Sequence, residues 1–247
     1  MAGSRSGGLK YRMPIILAIE TSSELASCAL LSGAQLLSRE SGGVRTHSQA
    51  VLPMVQELLL EAGAKLADVD AIAFGAGPGS FTGVRTACGV AQGLAYGADL
   101  PVVPLVTLEA MAEACRARTG ATEVLAVLDA RMGEVYWAQY RYDGGWQVVA
   151  EPVLAAPEAV HPLPAAGLVA CGNGLAAYPD AFAGKEFAAQ GIGDIVPHAR
   201  ELAVLAVPAL AAGQGVPASQ AQPLYLRNKV AYTSAERQAI NAAKAGA

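Results

Sequence analysis

The 247-residue sequence predicts an α/β fold of two lobes, mixed sheets flanked by helices, with a reduced second lobe. Three observations predict it. Residues 15 to 118 read as three strands followed by alternating helix and strand, a βββαβαβα order. From Glu123 the strand pattern repeats loosely, with fewer helices. Inside the first half, Ala73-Phe74-Gly75-Ala76-Gly77-Pro78-Gly79-Ser80-Phe81-Thr82-Gly83-Val84-Arg85 joins a strand to a helix through four glycines.

Ile15 to Ile19 is a short apolar, largely β-branched run, read as a buried strand. Glu20-Thr21-Ser22-Ser23 follows as a polar turn. Ala26 to Leu31 and Gln35 to Glu40 are the next strands, with Ser32-Gly33-Ala34 as the hairpin turn. A strand, an acid-hydroxyl turn and a hairpin are how actin-like, sugar-kinase-like ATPase lobes begin. In active members that acid helps manage metal-bound phosphates. Here it is Glu20, which equally reads as a plain turn residue.

Thr46-His47-Ser48-Gln49 opens a helix to about Ala62, with Thr46 or Ser48 as N-cap and Gly63 just past the end. Val51, Leu52, Val55, Leu58, Leu59 and Ala62 form a broad apolar stripe, and Met54 lies off it. Pro53 predicts a late start or a kink. The apolar surface is wider than one sheet face requires, which points to a second packing partner. Asp70 to Phe74 is the next strand, and Thr86 to Tyr96 the helix after the glycine turn. On that helix Gly89 and Gly93, and likewise Ala87 and Ala91, lie four apart. Small residues at that spacing let another helix approach, within the lobe or from another chain.

Pro101 to Val106 is a further strand, and Thr107 is expected to cap a helix through about Arg118. Val124 to Leu128 is a strand, Asp129 to Gly133 a turn, and Glu134 to Tyr142 a strand. Asp143-Gly144-Gly145 then leads a hairpin into Trp146 to Val149. Gly167 to Cys171 is another strand, ending at Gly172-Asn173-Gly174. A helix from His198 to about Ala212 and an extended Pro223 to Lys229 follow.

The glycine turn admits two chemistries. A strand-to-helix turn exposes free N–H groups that favour an anion. Alternatively, its glycines let the helix sit close against neighbouring backbone. Standard nucleotide cradles do not match. A P-loop needs Gly-Lys-Ser/Thr, and here Gly83 precedes Val84-Arg85; the dinucleotide fingerprint fails because Ser80 holds the third glycine position.

Hydrophobic residues make up 53% and charged residues 15%, so the chain can bury a core. A net charge of −4, with no basic cluster, argues against a protein that grips nucleic acid alone. Cys28, Cys88, Cys115 and Cys171 form no C-x-x-C pair and read as buried apolar residues in a reducing compartment. No apolar run approaches the roughly 20 residues of a membrane helix. The expectation is a cytoplasmic protein. His47, His161 and His198 show no metal-ligand spacing, and His47 reads as a first-turn surface residue. Ser80 lacks the flanks of a nucleophile elbow. Asp129 and Arg131 read either as a phosphate or partner contact or as a hairpin-turn ion pair.

Several stretches together resemble the TsaB (YeaZ) family. They are Ile16 to Ser22, Thr46-His47-Ser48 with Leu52-Pro53, Gly77 to Arg85, Asp129 to Tyr136, and Pro223 to Lys229, in the family's order across residues 15 to 230. The resemblance implies a two-lobed actin-like (ASKHA, ribonuclease H-like) fold related to the catalytic subunit TsaD, without TsaD's metal-binding histidine pair. His47 and Val51 stand where that pair would fall. It implies a non-catalytic subunit in making tRNA N6-threonylcarbamoyladenosine (t6A37), which binds TsaD through first-lobe helices, with TsaE completing the complex. It also implies a homodimer when alone, indirect contact with tRNA, and Mg-ATP belonging to the complex rather than to this chain. One departure is Glu20, where the family commonly has aspartate.

The expected organisation is a flexible leader at 1–13, a first lobe at 14–106 carrying the partner-binding helices, and a reduced second lobe at 107–197. A C-terminal helix and extended segment at 198–230 packs back on the lobes, and a flexible tail spans 231–247. The expected partner-binding residues are Val51, Met54, Val55, Leu58, Leu59, Arg85, Ala87, Cys88, Gly89, Ala91, Gln92 and Ala95. The vestigial phosphate set is Glu20, Gly77, Gly79, Ser80, Thr82, Gly83 and Asp129. No catalytic residue and no metal ligand is expected. The alternative is an active actin-like ATPase or small-molecule kinase using the Gly77–Gly83 loop.

Overall fold

Two sheets frame the computed structural model, which describes residues 12–42 and 47–227. Expectations on residues 1–11, on Thr46 as a cap and on 228–247 lie outside the described residues. The first sheet holds β1 (Ile15–Glu20), β2 (Leu25–Ser32), β3 (Gln35–Gly42), β4 (Ala71–Gly77) and β5 (Val102–Val106), in the order β3-β2-β1-β4-β5. β1, β2 and β3 run antiparallel; β4 and β5 join parallel to β1. β3 runs two residues past Glu40 because Leu25 and Ala26 supply ladder partners for Gly42 and Ser41.

Alternation along β1 sends its side chains to opposite faces. Leu17 and Ile19 face α1 (His47–Glu61) and α2 (Phe81–Ala98). Ile16 and Ala18 face α6 (Ala199–Ala211), which returns from the C-terminal part of the chain to cover the other side. Helix α6 is held at its start by the Ala199 N–H donating to Ser27 Oγ at 2.9 Å.

The second sheet has the order β8-β7-β6-β9, with β6 (Glu123–Arg131), β7 (Glu134–Tyr142), β8 (Trp146–Ala155) and β9 (Leu168–Cys171). Its ladder repeats that of the first four strands: two antiparallel pairings and a parallel one, β6 with β9. α3 (Thr107–Thr119) packs on one face through Leu108, Met111 and Cys115. Two short helices, α4 (Asn173–Ala177) and α5 (Pro179–Phe182), cover part of the other with Leu175 and Phe182.

Several expectations shift. α2 begins at Phe81, not Thr86: Ser80 caps it, its hydroxyl accepting the Gly83 N–H at 3.4 Å, so part of the glycine stretch is helix. Thr107 does not cap α3; Val106 holds the N-cap position, and Thr107 is the first helical residue, buried with no partner for Oγ1 among the described residues. Pro53 lies within α1 on its exposed side rather than delaying it. The turn between β6 and β7 shrinks to Met132-Gly133. Arg131 and Met132 take φ of 61° each, and the Arg131 N–H donates to Asp129 Oδ1 at 2.8 Å, which fixes that left-handed bend. All four cysteines are free and buried. Among the described residues, no helix is long and apolar enough to cross a membrane.

Candidate functional site

The C-terminal ends of β1 and β4 and the hairpin of β6 and β7 meet at a cleft of about 360 Å3 between the lobes. Ser22, Gly79, Ser80, Asp129 and Asn173 line it from the two lobes, and Leu224 to Arg227 closes one side.

Glu20 ends β1 with 0% exposure. One carboxylate oxygen accepts the Ser22 N–H; the other, Oε2, has no partner among the described residues. Burial pushes its pKa above the usual 4.5, and hydrogen bonding from Ser22 only partly opposes this. A carboxyl so enclosed does not reach the cleft, because the turn that follows it folds over it. Its pKa is raised by folding, so its contribution to stability is full below pH 4.5 and falls as pH rises through the raised value. Glu20→Gln is therefore expected to gain on the wild type as pH climbs, read from urea midpoints at pH 4.5 and pH 8. Parallel midpoints would show that Glu20 titrates normally.

Several glycines of the loop lie in close approach to neighbouring parts of the chain. A Cβ on Gly83 would lie 1.9 Å from the Thr21 carbonyl oxygen, and one on Gly79 2.6 Å from Ser22 Cβ. Gly77, at φ 116° and followed by a cis proline, would meet the Leu224 carbonyl at 2.7 Å. The Ser80 N–H donates to the Ser22 carbonyl at 2.7 Å, and Thr21 Oγ1 to the Gly83 carbonyl at 2.7 Å. The loop thus clasps the turn after β1. Thr82 departs from its expected place: it is exposed on the first turn of α2, its carbonyl accepting Thr86 Oγ1, because helix already begins at Phe81.

Asp129 does line the cleft, but its carboxylate is engaged. Oδ1 accepts Tyr178 OH at 3.0 Å as well as the Arg131 N–H, and Arg131 Nη1 sits 3.1 Å from Oδ2. The Asp129 N–H donates to Asn173 Oδ1 at 3.0 Å. Arg131 also pairs with Glu24, tying the second-lobe hairpin to the first-lobe turn. The ion pair between Asp129 and Arg131 is therefore real, and it extends across the lobes.

His47 is not a surface residue. It is 3% exposed, with Nε2 3.2 Å from the Glu24 carbonyl, because the 21–24 turn packs on the start of α1.

Most of the expected partner-binding residues are consumed by the chain itself. Val51, Met54, Val55 and Leu58 on α1, and Ala87, Cys88, Ala91 and Ala95 on α2, form one core with β1 and β4. Leu59 and Gln92 are half-buried, and Gln92 Nε2 donates to the Ala221 carbonyl at 2.9 Å. Arg85 and Gly89 remain on the outside. The outer side of α2 carries Arg85, Gly89, Gly93 and Gly97, with nothing among the described residues within 4 Å of a Cβ on any of the three glycines; Tyr96 beside them is 85% exposed. On α1, Leu52 and Leu60 stay exposed.

The extended segment from Pro223, expected to pack back on the lobes, makes these contacts over the described residues to Arg227. The Leu224 N–H donates to the Ala76 carbonyl at 2.7 Å, extending the end of β4. Tyr225 lies against Phe81, ring centroids 5.8 Å apart. Arg227 pairs with Glu134 and donates to the Arg131 carbonyl at 3.2 Å. The segment thus straps one lobe to the other. Tyr178, Asn173 and Tyr225 carried no local signal of these roles, since each acts through a partner at least 44 residues away.

Comparison with known proteins places these features in context. A family model described as "TsaD: tRNA N6-adenosine threonylcarbamoyltransferase" matches residues 26–241. The "tRNA threonylcarbamoyladenosine biosynthesis protein TsaB" of Escherichia coli (strain K12) is 42% identical over 227 residues, covering 88% of this chain and 96% of that protein. Its namesake in Haemophilus influenzae is 40% identical over 227 residues, covering 88% and 95%. The solved structure "YeaZ from Pseudomonas aeruginosa" is 42% identical with a TM-score of 0.81, over 87% of this chain and 100% of that one.

Proposed function

Because the chain belongs to the TsaB (YeaZ) family, with its actin-like fold, we propose that it serves in tRNA N6-threonylcarbamoyladenosine synthesis as a non-catalytic subunit that binds and activates TsaD. The observation that carries this reading is the outer side of α2. Gly89, Gly93 and Gly97 leave open space beside an 85%-exposed Tyr96, a surface on which a second helix can come close. TsaE completes the complex, Mg-ATP belongs to that complex, and tRNA meets this chain only indirectly. Without TsaD, the same surface pairs two copies.

The state of the two acids supports a scaffold over an active actin-like ATPase or kinase. Glu20 is enclosed behind its own turn, and Asp129 is held by Tyr178 and Arg131. A phosphate site would have to free both. The cleft itself is the feature that keeps the enzyme reading testable.

The test is a titration of the purified chain against TsaD of the same organism, with Mg-ATP added to the chain alone. Micromolar or tighter TsaD binding with negligible ATP binding is the expected result. Strong ATP binding and turnover without TsaD would replace the scaffold by the enzyme.

A further inference from the structure

On the first turns of α2, the guanidinium of Arg85 lies over the ring of Phe81, four residues earlier on the same helix, and beside the ring of Tyr225 from the C-terminal strap. Its guanidinium carbon is 3.2 Å from the Phe81 ring centroid and 4.8 Å from that of Tyr225. Phe81 and Tyr225 are 41% and 45% exposed, and Arg85 is exposed too. Among the described residues, no carboxylate or carbonyl takes a hydrogen bond from its guanidinium. The contrast is with Arg116, Arg131, Arg141 and Arg227, each paired to an acid.

Lying over Phe81 uses one face of the guanidinium, and Tyr225 flanks it at roughly a right angle, so the N–H groups on the side away from Tyr225 are the ones left for a partner. A stacked side chain has also lost much of the rotamer freedom that weakens ordinary surface ion pairs. Arg85 is one turn before Gly89, on the same side of α2. A helix lying close over Gly89 and Gly93 would therefore run within reach of those N–H groups.

We propose that the Phe81–Arg85–Tyr225 platform anchors a carboxylate, an aspartate or glutamate side chain on the partner helix that packs along α2. The inference rests on the reading that the outer side of α2 meets a protein partner. The fork of a guanidinium matches a carboxylate in two parallel hydrogen bonds. The chain's net charge of −4 disfavours the other anionic macromolecule, an RNA backbone. Tyr225, on the strap, positions the guanidinium rather than touching the carboxylate.

The experiment measures affinity of the full chain for TsaD of the same organism at low and high salt. Arg85→Gln is expected to weaken binding about tenfold or more at low salt and to flatten the salt dependence. Arg85→Lys is expected to restore the salt dependence but only part of the affinity, since a point charge lacks the fork. Tyr225→Ala is expected to weaken binding less, with the salt dependence kept. If Arg85→Gln binds like wild type while Gly89→Leu does not, the carboxylate anchor is wrong and the docking surface stands. If wild type fails to bind TsaD at all, the reading of the surface falls and takes the anchor with it. If Arg85→Gln leaves TsaD affinity unchanged but abolishes binding of tRNA to the chain, the platform takes phosphate instead.

Discussion

Gly89→Leu is expected to leave the protein folded and to cost it at least a hundredfold in affinity for TsaD. Among the described residues a Cβ at this position meets nothing within 4 Å, so the side chain points away from the packed chain. Replacing a mid-helix glycine by a good helix former should raise stability by up to about 1 kcal/mol. A leucine standing on the contact surface would hold a partner helix several ångströms away, so the loss appears only in the complex. Ala91→Leu, two residues on, is the contrasting variant. Ala91 has 0% exposure and lies in the core between α2 and the sheet, so added methyl groups should destabilise the fold by about 1–3 kcal/mol. Urea midpoints and a titration on both variants separate the effects. TsaD binding by Gly89→Leu at wild-type strength would remove the outer side of α2 from the interface.

Gly83→Ala is expected to be strongly damaging. Its Cβ would stand 1.9 Å from the Thr21 carbonyl oxygen and 2.9 Å from the carbonyl carbon. Both are backbone atoms, so α2 and the turn after β1 must part, and the Thr21–Gly83 hydrogen bond goes with them. The expected loss is about 3 kcal/mol or more, read from the urea midpoint. Gly75→Ala meets an obstacle of another kind, Glu20 Oε2 at 1.9 Å, which is a side-chain atom. Shortening that side chain should relieve it. The double variant Glu20→Ala, Gly75→Ala is therefore expected to be more stable than the sum of its single effects, by about 1 kcal/mol or more. Additive losses would mean that Gly75 is required for backbone reasons alone.

These contacts account for the glycines of the stretch by close approach of backbone. Four-glycine spacing between strand and helix signals freedom of the backbone, but not what comes close. Here the neighbour is the chain's own 20–23 turn, supplied by a strand some sixty residues earlier, together with the Leu224 carbonyl from the C-terminal strap. Asp129 follows the same pattern. Its ion pair with Arg131 is local and legible, whereas the bond from Tyr178 and the tie from Arg131 to Glu24 are not.

From the sequence by itself came the order of the strands and of α1, α2, α3 and α6, but not α4 and α5, together with the repeat of the strand pattern in a reduced second half, the free buried cysteines and the motifs that mark the family. These are written in short-range patterns: periods of two and near four, turn residues at fixed offsets, and motif spacing. Tertiary structure alone decided which apolar face is spent inside the chain and which is presented. The stripe Val51, Val55 and Leu58 reads identically whether a sheet or a partner covers it, and Met54 joins it only because β1 and β4 lie beneath. It also decided that residue 225 holds residue 85, since a contact across 140 positions depends on how the whole chain folds back, and local periodicity carries no record of that.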